Sequence, residues 1–189
     1  MLRRLALALL ATAVACGGGA TVKKAVQAPT ATVRSAPAGG LTLSSTAFSD
    51  GAPIPKQYTC DGAGQSPPLA WRGVPTGAES VALRVQDIDT PQKFIHWIVY
   101  DISPSTTSLA AGQVPAGAKQ TANSFGKQGY GGPCPPAGST HRYVFTILAL
   151  GTQLNVSDNV SPSDLWATLE RSDVVGRGEL TGTYQRAGS

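Results

Sequence analysis

The chain has 189 residues, of which 41% are hydrophobic and 14% charged, with 22 glycines and 14 prolines. Its formal charge is +4, but Arg3, Arg4, Lys23, Lys24 and Arg34 all precede residue 41, so the rest is close to neutral. No Lys/Arg cluster with interleaved aromatics occurs there, which argues against nucleic acid as a partner.

Residues 1–15 read as a secretory signal: Arg3 and Arg4 form a positive start, an apolar stretch follows, and Ala13 and Ala15 are small. The apolar stretch is shorter than the roughly 20 residues that span a bilayer. Ala13-Val14-Ala15-Cys16-Gly17 resembles a bacterial lipobox, with Cys16 as the lipidated residue and new N-terminus. Ordinary signal cleavage nearby, with Cys16 left as a thiol, is the alternative. Residues 17–40 are rich in Gly, Ala, Thr, Val and Pro and lack acids and aromatics. Residues 16–40 are therefore expected to be a lipidated cysteine and a flexible tether reaching roughly 27 Å. The expected location is the bacterial cell envelope, outside the cytoplasm and anchored to a membrane. Residues 41–189 then form one domain with one core.

Within that domain the patterns are mostly strand-like. Residues 41–45 and 80–86 alternate, with Val81, Leu83 and Val85 on one face. Residues 94–102 are aromatic and β-branched, 143–150 are apolar on both faces, and 179–185 suit a final strand. Asn123-Ser124-Phe125-Gly126 suits a single turn, and Asn155-Val156-Ser157 reads as an unmodified turn despite matching a glycosylation sequon. One helix is predicted after Ser161, with Pro162 first, Asp164 in the first turn, Leu165, Trp166 and Leu169 inward, and Gly176 beyond its end. The expected fold is mainly β: an antiparallel β-sandwich with one or two peripheral helices. Cys60 and Cys134 remain as an even pair in an exported chain, where a disulfide is expected; two buried thiols are the alternative.

Polar residues collect at one end of these strands. The parity of Val81, Leu83 and Val85 continues through Asp87 and Asp89. His96 shares parity with Ile98 and Tyr100, and His141 with Tyr143, Phe145 and Ile147. All are thereby expected at one edge of an apolar layer, the usual form of a small-ligand pocket. Arg142 reads as structural, paired with one of the two acids or a loop carbonyl. A lone Asp-x-Asp is more often a turn, and a lone His in a strand is more often a core residue, so the combination carries the argument.

The combination is specific. Ser66-Pro67-Pro68-Leu69-x-Trp71, Asp87-x-Asp89-x-Pro91, His96-Trp97, Gly129-Tyr130-x-Gly132-Pro133 and Pro135-Pro136-x-Gly138-x-x-His141-Arg142-Tyr143 resemble the phosphatidylethanolamine-binding protein family. They are most similar to its bacterial and archaeal, Raf-kinase-inhibitor-like branch. Ile88 departs from the proline usual between the acids. The resemblance implies a pocket for phosphate, phosphorylated headgroups or similar anions, with Asp87, Asp89, His96, Pro133, Pro136, His141 and Tyr143 as ligand-binding positions. It implies a binding protein rather than an enzyme, with no cofactor and no metal. The imidazoles, the loop's backbone N–H groups and the Tyr143 hydroxyl would donate to the anion, and the acids would orient the imidazoles. Three other readings compete: a hydrolase of small esters or phosphoesters using Asp87, His96 and His141 with a serine such as Ser139; a metal site on Asp87, Asp89, His96 and His141; and inhibition or sensing through a protein partner.

Overall fold

A computed structural model describes residues 40–92, 94–154, 156 and 160–188. The expected signal, Cys16 and nearly all of the tether lie outside the described residues, as do Asn155 and Ser157. Among the described residues there are eight strands, one α-helix and a 3-10 turn at Lys56–Tyr58. In chain order the strands are β1 (Thr42–Ser44), β2 (Leu69–Arg72), β3 (Ser80–Asp87), β4 (Ile95–Ile102), β5 (Ser108–Leu109), β6 (Lys119–Gln120), β7 (Thr140–Leu150) and β8 (Val174–Gln185). The helix α1 spans Pro162–Arg171, between β7 and β8.

The strands form two antiparallel sheets, ordered β1-β2-β5 and β6-β4-β3-β7-β8. Leu43, Leu69, Trp71 and Leu109 of the small sheet pack with Val81, Leu83, Val85, Trp97, Val99, Phe145 and Ile147 of the large one. This is the expected sandwich. The other face of the large sheet, at Ala82, Ile98, Tyr100, Leu148 and Leu150, is covered by Leu165, Trp166 and Leu169 of α1. β7 is thus apolar on both faces over its second half because both are covered. The helix begins as its sequence dictates: the Ser161 hydroxyl accepts the Asp164 backbone N–H at 3.1 Å, and Pro162 takes a position where no N–H is needed.

Four strands depart from expectation. β8 begins at Val174 rather than near residue 179, so Gly176, which follows the helix end as expected, lies within the strand. Its glycines conceal the alternation, and a Cβ at Gly178 would stand 2.4 Å from the Leu41 carbonyl oxygen, so a side chain there would push β1 away. β2, β5 and β6 are two to four residues long, too short to show a period. Asn123 to Gly126 forms the expected turn, closed by the Gly126 N–H on the Asn123 carbonyl at 2.9 Å. Cys60 and Cys134 form the expected disulfide.

Candidate functional site

The site is built where β3 and β7 leave the sandwich. Asp87, the last residue of β3, is opposite Tyr143 of β7. His141, two residues before Tyr143, falls on the same face. The Asp87 carboxylate, 3% exposed, accepts the His141 Nδ1–H at 2.7 Å. Its other oxygen accepts the Asp89 backbone N–H at 2.9 Å. That second bond closes an Asx turn and bends the chain. The expected parity therefore stops at Asp87. Asp89 turns away, accepts the Arg142 backbone N–H at 2.7 Å and pairs with its guanidinium. Arg142 is the structural partner expected, and it holds the Asp89 carboxyl below its usual pKa.

His96 reaches the site by a route that parity misses. Ile98 and Tyr100 belong to the layer under α1, so simple alternation would place His96 there, away from Asp87. The register shows why it is not. Val85 pairs with Trp97 while Gln86 pairs with Ile95, so His96 is the extra residue of a β-bulge. The bulge re-aims His96 to the sandwich side, with its ring edge-on to Tyr143 at 5.2 Å between centroids.

The Gly/Pro loop before β7 closes the site. Its Gly131 carbonyl accepts the His96 Nδ1–H at 2.7 Å, and the Gly131 N–H donates to the His96 carbonyl at 2.8 Å. Pro133 accepts the Cys60 N–H at 3.1 Å, and Tyr130 donates its hydroxyl to the Tyr58 carbonyl at 3.0 Å. A Cβ on Gly132 would lie 2.7 Å from the Thr59 carbonyl carbon, so the loop reaches its disulfide partner segment only because that side chain is missing.

These elements enclose a cavity of about 90 Å³, lined by Asp87, Thr90, Phe94, His96, Phe125, Cys134, Pro136 and His141. Since a water occupies about 30 Å³ in the liquid, it has room for roughly three waters or one small polyatomic group. Of the seven expected ligand-binding positions, four line it: Asp87, His96, Pro136 and His141. Asp89, Pro133 and Tyr143 do not. Tyr143 is fully buried against the His96 ring, its hydroxyl lacking a partner of good hydrogen-bonding geometry, and burial with the nearby Asp87 charge raises its pKa. Thr90, Phe94, Phe125 and Cys134 were not anticipated. Phe125, 47% exposed, stacks edge-on with Phe94 and His96 at 4.6 and 5.4 Å. An exposed aromatic in a glycine-ended turn was the signal available for it.

The hydrogen bonds fix the chemistry. A carbonyl and a carboxylate can only accept, so Nδ1 of both imidazoles carries a proton. In the neutral rings, both Nε2 atoms are then acceptors. The Gly129, Gly131 and Gly138 N–H groups are engaged by Thr121, His96 and Arg186 carbonyls, so the loop does not offer them to a ligand as expected. Burial lowers the pKa of His96, against weaker opposing effects from the Gly131 carbonyl and Asp87. While the rings are neutral, the imidazole edges of the site therefore present acceptors. An anion enters with a proton of its own or with protonation of an imidazole. Among the described residues no group of three or more His, Cys, Asp or Glu is placed to hold a metal, and Asp89 is turned from the other three. Ser139 does not line the cavity, and the Thr90 hydroxyl is engaged by the Asp87 carbonyl and the Phe94 N–H.

An antiparallel sandwich with a small edge cavity, in which two imidazoles and a carboxylate meet apolar walls, has the form of a ligand-binding protein. A family model described as phosphatidylethanolamine-binding protein matches residues 44–185, and the chain belongs to that family. It is 43% identical over 152 residues to a UPF0098 protein of Methanothermobacter thermautotrophicus, covering 77% of this chain and 99% of that one. It is 40% identical over 189 residues to LppC of Mycobacterium tuberculosis, described as a candidate lipoprotein, covering 95% of this chain and 92% of that one. Its fold matches the crystal structure of Escherichia coli YbcL, described as a member of the mammalian family, with a TM-score of 0.72, 32% identity, and coverage of 77% and 98%.

Proposed function

We propose that this chain is an exported, lipid-anchored binding protein whose cavity takes a small anion: phosphate or the phosphorylated end of a headgroup. The observation that carries the reading is the pair of imidazoles held in one tautomer each, His141 by Asp87 and His96 by Gly131, around a cavity of about 90 Å³. The family's name points to phosphatidylethanolamine as a source of such a headgroup. The acceptor character of both Nε2 atoms favours a protonated monoanion or an anion bound with proton uptake. The likeness to LppC, which extends across the region of the signal and Cys16, supports lipidation at Cys16, residues 16–40 as a tether, and an envelope location.

Calorimetry on the purified chain with phosphate, phosphoethanolamine and glycerophosphoethanolamine tests the pocket. Saturable binding should be abolished in both His96→Ala and His141→Ala, with proton uptake visible as a dependence of the heat on buffer ionisation. Absence of binding to all three ligands refutes the pocket and leaves a protein partner as the leading role. Radiolabelled palmitate incorporation in a bacterial host, lost in Cys16→Ala, tests the anchor separately.

A further inference from the structure

A second concavity lies on the opposite face of the large sheet, beside α1. This groove of about 770 Å³ has Arg84, Gln86, Ile95, Trp166, Glu170 and Arg177 among its lining residues. Its volume falls within the roughly 300–1,000 Å³ typical of small-molecule sites.

Arg84 is the unexplained residue there. It sits mid-β3, opposite Ile98 and Thr146 and next to Ala82 in the layer beneath α1. Packing alone would be served by an aliphatic side chain at such a position. Instead its guanidinium lies 4.1 Å from the centre of the Trp166 ring, a cation–π contact that fixes its plane. Its Nε is buried without a hydrogen-bond partner, and Arg84 takes part in none of the ion pairs among the described residues. The neighbouring cation, Arg177, is held by Glu170 and Glu179. Burial lowers the pKa of Arg84 to about 10, so it keeps its charge at neutral pH. With Arg177 balanced by its two carboxylates, Arg84 is left, among the described residues, with only longer-range attraction from Glu170 and Glu179 and with an Nε that meets no protein acceptor. A buried polar group in that state calls for an acceptor from outside the chain. A planar guanidinium fork matches a planar carboxylate in two parallel hydrogen bonds.

We propose that this groove is a second ligand site, for a small organic monocarboxylate that pairs with Arg84 and lays its body along Trp166 and Ile95. The site is separate from the His96–His141 cavity, though both use the wall formed by β4's first residues and the Asn123–Gly126 turn. Benzoate is the probe, with benzamide as its uncharged counterpart and inorganic phosphate as the ligand of the other cavity. The readouts are the Trp166 indole N–H and Arg84 Nε–H resonances of the 15N-labelled chain. Benzoate should shift both saturably, and benzamide should not. Arg84→Met should weaken benzoate about ten- to a hundredfold, the usual worth of a charge-assisted pair. Arg84→Lys, which keeps the charge without the fork, should fall between, and carries the test if the Met variant does not fold. His141→Ala should bind benzoate as the wild type does. The proposal is overturned if benzoate leaves both resonances unmoved, if benzamide moves them equally, if neither Arg84 variant weakens binding, or if phosphate competes or His141→Ala abolishes the shift.

Discussion

Replacing Asp87 with Asn separates the two jobs of that carboxylate. Its oxygens accept from two donors, the His141 Nδ1–H at 2.7 Å and the Asp89 backbone N–H at 2.9 Å. An amide offers only one acceptor oxygen. The backbone N–H cannot change, but the imidazole can tautomerise. In Asp87→Asn the amide oxygen should keep the Asx turn, the NH₂ should face His141, and the ring proton should move from Nδ1 to Nε2. Exchanging a charge-assisted hydrogen bond for a neutral one in a nearly fully buried site costs about 1–1.5 kcal/mol, the difference between the two kinds of bond. Denaturant unfolding should show that loss through a lower midpoint at unchanged slope. Imidazole 15N shifts should report the tautomer directly. Nε2 then becomes a donor at neutral pH, so anion binding should weaken less on raising the pH than it does in the wild type. A His141 ring still protonated at Nδ1 and neutral in the variant would refute the reasoning, because Asp87 would not be what orients it.

The other predictions concern the frame and its pH response. Gly132→Ala should destabilise by about 1–3 kcal/mol and weaken phosphate binding, since the new methyl meets the backbone of Thr59; unchanged unfolding would show that the loop can yield there. Removing the disulfide by Cys60→Ser with Cys134→Ser should cost about 4 kcal/mol in the chain-entropy model, given a separation of 74 residues, and calorimetric unfolding measures it. Burial lowers the His96 pKa, so below about pH 6.5 the unfolded imidazole binds protons that the folded one refuses. Stability should therefore fall as the pH drops from 6.5 through the folded-state pKa of His96, and His96→Gln should flatten that segment; an equal slope in the variant would assign the loss to other groups. Arg142→Ala, at an exposed pair with Asp89, should change stability little, with an effect that fades in salt.

Much of the architecture was legible from residue order. Apolar alternation located β3, two-sided apolarity marked β7 as a covered strand, and Ser161, Pro162 and Asp164 announced α1. The disulfide followed from counting cysteines, and the family from motifs spread over most of the domain. These signals are local, because period, capping and turn chemistry act over a few residues. The composition of the cavity was not local. His96 stands on the same side as Asp87 because β4 carries one residue more than β3 between paired positions, a fact of register between strands. Asp89 leaves the site because Arg142 of another strand and the Asx turn of Asp87 draw it out. Phe94, Phe125 and Thr90 enter it because a turn 30 residues downstream folds back on β4, with the Ser124 N–H on the Ile95 carbonyl at 2.8 Å. The residues by themselves set which groups were present and what chemistry they bring. Only the pairing of distant strands decided which of those groups face one another, because a one-residue offset in register reverses the side on which a side chain stands.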